Sequence, residues 1–204
     1  SIRLSSVREL LDRAEKSLEV NHADYDRLLG FSQENGLSIN AVLQYAWHKV
    51  LSVYGNTSTT VVGTTISGRN LPIDDIEESV GLYINTLPLI IEHKSELSII
   101  EQIREVQARV TELNERSNVD LAKLQENGER LFDSLFVYEN YPTPEAAIAS
   151  EIQLEFQGGV EKLDYPLGVT AYEIDNRIIV SIKYAREIFG DATIEVLLEK
   201  VKFL

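Results

Sequence analysis

Thr59-Thr60-Val61-Val62-Gly63-Thr64-Thr65-Ile66 is the stretch on which the fold turns. Every place but Gly63 carries a β-branched side chain, the composition of a buried strand. Just before it, Ser38 offers an N-cap. Ile39, Val42, Leu43, Ala46, Trp47, Val50 and Val53 then recur at helical spacing up to Gly55. Their apolar face is wide enough to predict a helix set deep in the core. After the strand, Ser67-Gly68-Arg69-Asn70-Leu71-Pro72 breaks the pattern, and Tyr83 to Ile91 reads as a second strand whose pairing Pro88 limits.

Leu4, Val7, Leu11, Ala14 and Leu18 predict an amphipathic helix, with Ser6 and Glu9 as its capping box. A second helix is expected from Ala23 to Asn35, closed by Gly36. Ser98 and Glu101 form another capping box, ahead of a long helix carrying Ile99, Ile103, Val106, Val110 and Leu113. Leu131 to Glu139 is a third buried strand. Ile152, Leu154 and Phe156 alternate with polar neighbours, so that strand has one wet face. Val169–Ile174 and Arg177–Tyr184 flank Asp175-Asn176, a hairpin signal. Asp191 to Leu204 closes the chain as a helix with Ile194, Leu197, Leu198 and Val201 on one side. Residues 140–150, with Pro142 and Pro144, are the most loop-like stretch. Helices first, then helices and strands mixed, then a hairpin, favour an α/β two-layer sandwich over a regular β-α-β alternation.

The 204 residues include 19 Lys and Arg against 33 Asp and Glu, a formal net charge of −14. That charge repels a phosphate backbone and argues against nucleic acid as a partner. There is no cysteine, so disulfides, thiolate nucleophiles and cysteine metal sites are excluded together. Its absence fits a reducing, cytoplasmic setting. No apolar run approaches the ~20 residues of a membrane span. The chain starts at Ser1, holds no methionine and stops on a helix pattern, and it reads as a piece of something longer.

The catalytic inventory is thin. His22, His48 and His93 are far apart and match no metal-ligand spacing. His48, inside the apolar helix, is expected to have a structural role. His22 is expected at a loop or cap, and His93 as a solvated imidazole in a charged stretch. No G-x-S-x-G elbow exists. Ser67-Gly68-Arg69 reads as a turn, or as a serine beside an oxyanion-stabilising glycine. Gly158-Gly159 has no following Lys-Ser/Thr pair and is a turn. Asp74, Asp75, Glu77 and Glu78 form an acidic run suited to a solvated helix start. Two residues stand out. Arg69, at the end of a buried strand, needs an anionic partner. Asn85, within an apolar strand, needs hydrogen-bond partners. Each is either a structural pin or a site residue.

Val61-Val62-Gly63-Thr64-Thr65-Ile66-Ser67-Gly68-Arg69, followed by Glu77-Glu78-Ser79-Val80-Gly81-Leu82-Tyr83-Ile84-Asn85-Thr86-Leu87-Pro88, resembles the second half of a nonribosomal peptide synthetase condensation domain. The later block matches the family's V-G-x-F-x-N-T-x-P element with Tyr83 in the aromatic place. Leu131-Phe132-Asp133-Ser134-Leu135-Phe136-Val137-Tyr138-Glu139-Asn140-Tyr141-Pro142 is similar to a third family block, and Leu37 to Gly55 to the segment before the S-G-R strand. The resemblance runs from about His22 to the end of the chain.

That resemblance implies a two-lobed fold like chloramphenicol acetyltransferase, with a tunnel between lobes entered by a carrier-bound substrate from each mouth. The implied reaction is amide formation, the acceptor amine attacking the donor thioester. The family's H-H-x-x-x-D-G signature belongs to the first lobe and has no counterpart here, so residues 1–204 are expected to be a C-terminal lobe alone, inactive by itself. By the same match Arg69 reaches across to the aspartate of the histidine motif. Ser67, Gly68, Tyr83, Asn85 and Thr86 are tunnel-lining candidates, with Asn85 open between tunnel and pin. Residues 140–166 are the candidate crossover segment to the first lobe. No cofactor is expected to bind directly, since substrates arrive on the phosphopantetheine of carrier proteins. The implied partners are the N-terminal lobe, peptidyl carrier proteins and an adjacent adenylation domain. Asn85-Thr86-Leu87-Pro88 looks more like ordinary condensation than epimerisation. The alternatives are a non-catalytic docking module and a lobe of another acyltransferase of the superfamily, for instance one using coenzyme A.

Overall fold

In a computed structural model of the chain, the described residues are 12–67, 75, 80–81, 83–125, 130–139 and 165–203. In chain order the elements are β1 (Arg13–Val20), α1 (His22–Asn35), α2 (Ile39–Gly55), β2 (Thr59–Ser67), β3 (Ile84–Glu92), α3 (Ile99–Glu115), α4 (Leu121–Leu124), β4 (Ser134–Glu139), β5 (Leu167–Ile174), β6 (Arg177–Ala185) and α5 (Asp191–Phe203). The strands form one six-stranded mixed sheet in the order β1-β6-β5-β4-β2-β3. β2, β4 and β5 run parallel, and the other pairings are antiparallel. The expected α/β sandwich is what the chain builds.

Several local signals act as expected. Ser38 caps α2, its side chain accepting from the Ala41 N–H, and Asn56 ends the helix in the left-handed region at φ 48°. Gly36 ends α1 at φ 65°, where a Cβ would be strained. Ser98 and Glu101 make a complete capping box on α3. Asp175 and Asn176 have φ 47° and 56°, the two positive values a tight hairpin turn requires. They close β5 onto β6 with Ile174 opposite Arg177.

The expected first helix is not found where the structure describes it. Residues 1–11 lie outside the described residues, but Ala14 and Leu18 belong to strand β1, paired antiparallel with β6. A spacing of four is one helical turn and also two strand repeats, so this pair could not separate the two readings. The alternation of exposed and half-buried residues along β1 is the period that holds. Val53 also departs from expectation: in the last turn of α2 it is 64% exposed. The wet strand around Ile152, the loop at residues 140–150, Gly158-Gly159 and most of the acidic run lie outside the described residues.

Helices α1, α2 and α5 pack on one face of the sheet. Trp47, Leu43, Tyr25, Ile194 and Leu198 meet Val62, Phe136, Val169, Ala171, Val180 and Ile182 there. α2 and α3 cover Leu89 and Ile91 on the same face. By strand alternation the opposite face carries Gly63, Thr65, Ser67, Ile84, Thr86, Pro88 and Ile90. Ile84 and Ile90 are 54% and 56% exposed. On this face a Cβ at Gly63 would run into the ring of Phe132, which stacks on Tyr165 at 5.0 Å. Gly63 interrupts the β-branched run because the Phe132 ring occupies the space that a side chain would need there.

β3 is one edge of the sheet, β1 the other, and two features blunt β3. The His93 N–H turns inward to Ser58 O, so the alternation turns the N–H of even-numbered residues outward. Thr86 gives its N–H to its neighbour Asn85 Oδ1, and Pro88 has none to give. A strand without those donors is a poor template for aggregation.

Substituting Gly63→Ala should cost about 1–3 kcal/mol through overpacking against Phe132. Denaturant unfolding checks this, and adding Phe132→Ala should recover part of that loss in a double-mutant cycle.

Candidate functional site

The residues singled out in sequence gather where β2 ends and β3 begins. Ser67 is the last residue of β2 and pairs with Ile84, and Thr65 pairs with Thr86. Ser67, Thr65, Ile84 and Thr86 therefore share the face that carries no long helix among the described elements. Tyr83 stands immediately before β3. Gly68 and Arg69 lie outside the described residues.

Asn85 takes the other side. It is half-buried beside Ile66, and its amide donates to Ser117 O at 2.9 Å and Val119 O at 2.6 Å. Its Oδ1 accepts the Thr86 N–H at 2.8 Å. Both amide protons are thus engaged on the connection between α3 and α4. Of the two readings left open by the sequence, the geometry gives Asn85 the pin: it ties that connection to the sheet edge behind Thr86.

Beneath the site, a polar row on α2 meets the strands. Thr64 Oγ1 donates to Gln44 Oε1 at 3.1 Å, and Gln44 Nε2 donates to Asn40 Oδ1 at 3.0 Å. Trp47 Nε1 donates to Ser134 Oγ at 3.0 Å. At the far end of β4, Glu173 of β5 accepts from the hydroxyls of both Tyr25 and Tyr138. Burial, and then this bond, push the Tyr138 phenol well above its ordinary value. None of these residues was a site candidate in the sequence. Their signal was polar side chains within apolar elements, a pattern that marks a hydrogen bond without naming its partner.

The histidines stand apart from Ser67. His22 is the exposed first residue of α1. His48 is fully buried, as its helical setting implied, with Nδ1 2.6 Å from Thr60 Oγ1. Burial first, and then the neighbouring His93, lower its pKa to about 3. His93 corrects the expectation of a solvated imidazole. It is half-buried, its Nε2 lies 3.4 Å from the same hydroxyl, and its ring tilts against Tyr45. His93 extends the pairing of β3 by one residue, its N–H bonded to Ser58 O, so its ring follows Leu89 and Ile91 onto the helix side, which its charged sequence neighbours did not reveal. Thr60 precedes Ser67 by seven residues on β2, roughly 23 Å at about 3.3 Å per residue. Neither imidazole reaches Ser67 to act as its base. Among the described residues no group of three or more His, Cys, Asp or Glu is placed to hold a metal ion.

Asn85→Ala should lower stability by about 1–3 kcal/mol, because two part-buried carbonyls lose their donor, and should speed amide exchange in residues 115–121. Unchanged stability alongside lost activity would return Asn85 to the substrate side.

The profile of the condensation-domain family matches residues 4–204. The chain is 46% identical over 177 residues to the N-(5-amino-5-carboxypentanoyl)-L-cysteinyl-D-valine synthase of Penicillium rubens, an alignment covering 82% of this chain and 5% of that one. It is 30% identical over 192 residues to bacitracin synthase 3 of Bacillus licheniformis, covering 91% of this chain and 3% of that one. The chain thus spans about a twentieth or less of these curated relatives. Among solved structures, the condensation domain of the monacolin K polyketide synthase MokA superposes with a TM-score of 0.76 at 15% identity, over 96% of this chain and 48% of that one. The epimerization domain of the third module of tyrocidine synthetase B superposes with 0.68 at 14% identity, over 94% and 46%. With the six-stranded mixed sheet, its one-sided helices and the matching profile, the chain belongs to the condensation-domain family.

Proposed function

We propose that the chain is the C-terminal lobe of a condensation domain that forms the peptide bond between carrier-bound donor and acceptor thioesters. The observation that carries this reading is one of extent: nearly the whole chain superposes on less than half of each solved relative. The face bearing Ser67 and Thr86 is where a second lobe would sit. In the reaction, the acceptor amine attacks the donor carbonyl, the C–S bond breaks, and the donor's carrier leaves as its thiol. The paired histidines that assist this step belong to the preceding lobe. This chain supplies a wall, with Ser67, Gly68, Tyr83 and Thr86 facing the chamber and Arg69 pairing with the aspartate of the histidine motif. Residues 140–166 cross over to the first lobe. Phosphopantetheine arms bring the substrates, so no further cofactor is needed. Carrier and adenylation domains are its neighbours. Among the described residues no helix is long and apolar enough to cross a membrane, and the cysteine-free composition suits the cytoplasm.

Identity is higher to the N-(5-amino-5-carboxypentanoyl)-L-cysteinyl-D-valine synthases, at 44% and 46%, than to the two bacitracin synthases, both at 30%. That difference favours a parent enzyme that assembles a short peptide of the same kind.

Reconstitution tests the reading. This chain alone should give no amide product from aminoacyl carriers, and fusion to its matching first lobe should restore carrier-dependent product. No product from the fusion, with an active parent enzyme, would count against it. In the parent, Arg69→Ala should lower turnover about 10²-fold or more by leaving a carboxylate unpaired. Arg69→Lys should rescue poorly, since an ammonium lacks the planar fork. Wild-type turnover from Arg69→Ala would remove the bridging role.

A further inference from the structure

The pair of imidazoles at the start of β2 has no part in the proposed chemistry. His48 on α2 and His93 after β3 meet a single hydroxyl, Thr60 Oγ1, at 2.6 and 3.4 Å. Thr60 lies 3.5 Å from Ile91 O, and Gln102 of α3 lies against His93. Four elements therefore meet at one buried hydroxyl. A threonine hydroxyl has one proton to give and two lone pairs. It can take an N–H from one ring and give its own proton to the bare nitrogen of the other, so it serves both rings at once. His48 Nε2 is buried and has no hydrogen-bond partner, whereas Gln102 and the His48 backbone lie close enough to His93 to favour its charged form. A proton added at His48 Nε2 would meet no acceptor.

We propose that His48, Thr60 and His93 form an acid-sensitive latch that fastens α2 and α3 to the β2–β3 edge of the sheet, and that protonation of the two rings releases it. Burial and the Lys49 charge outweigh the help that Gln102 and the His48 backbone give a charged His93. α2 contributes Tyr45 and Lys49, and the Lys49 charge further disfavours His93 protonation. β2 contributes Thr60, and α3 the uncharged Gln102. Glu92 and Lys94, next to His93, are a pair of opposite charges, and Lys94 is engaged by Glu105 at 2.9 Å. The second ring to be charged would also face the first.

The sign follows from where the protons bind. Burial lowers both rings from the ordinary 6.5, His48 to about 3. The opened state therefore takes up protons that the closed state refuses. The latch is complete above about pH 6.5 and weakens as pH falls through that value, down to about 3 for His48. Between pH 7.5 and 5.5, opening should rise about tenfold through His48 and further through His93.

Hydrogen exchange by mass spectrometry on the intact full-length protein, corrected for the intrinsic pH dependence, measures this directly. Protection should fall accordingly over residues 44–62 and 89–107, while residues 169–182 of the β5–β6 hairpin keep theirs. His93 is half-exposed, so His93→Gln should fold, and it should reduce the pH response while leaving the His48 part in place. His48→Gln should reduce it further where that variant folds. Uniform loss of protection across all three segments, or an undiminished response in His93→Gln, would overturn the latch.

Discussion

The structure depends on how α2 seats against β2 and β4. Trp47 is 1% exposed, and burying a ring of about 200 Å² at about 25 cal/mol per Å² contributes up to about 5 kcal/mol. Apolar burial alone lets a helix slide and rotate. Three directional bonds fix it: Trp47 to Ser134, Gln44 to Thr64 and His48 to Thr60. They fall one helical turn or less apart on α2 and reach two neighbouring parallel strands. Each buried polar group would be costly without its partner, so the three define a single register.

With that register fixed, the rest of the architecture follows. α2 occupies the centre of one face, and α1, α3 and α5 pack around it on the same side. The other face keeps Ser67, Thr86 and the half-exposed isoleucines Ile84 and Ile90. Asn85 holds the edge strand from behind, so Thr86 stays on the free side. Among the described residues long helices clad one face of the sheet only, and the proposed second lobe would cover the other.

Where one residue type forces one local geometry, the sequence was readable. Asp175-Asn176 admits positive φ at both places, Gly36 ends a helix, and Ser98 with Glu101 starts one. Thr59 to Ile66 could only be a buried strand. Reading failed where the deciding partner was distant. Ala14 and Leu18 fit two periods, and the choice was made by β6, some 160 residues later. His93 looked solvated because the ring above it comes from α2. Asn85 announced a need for hydrogen bonds, but Ser117 and Val119 lie more than 30 residues away. Ser67 and Thr86 fall on one face of the sheet because β-strand register is local once the pairing is known.

The most direct test of the proposed second lobe uses the absence of cysteine from this chain. A single thiol at Ile84→Cys on the free face, and another at Val53→Cys on the helical side, can be labelled in the isolated chain and in the full domain. The expected result is strong protection of position 84 in the full domain, with position 53 labelling equally in both. Equal labelling of position 84 in the two contexts would contradict the claim that this face is the wall of a shared chamber.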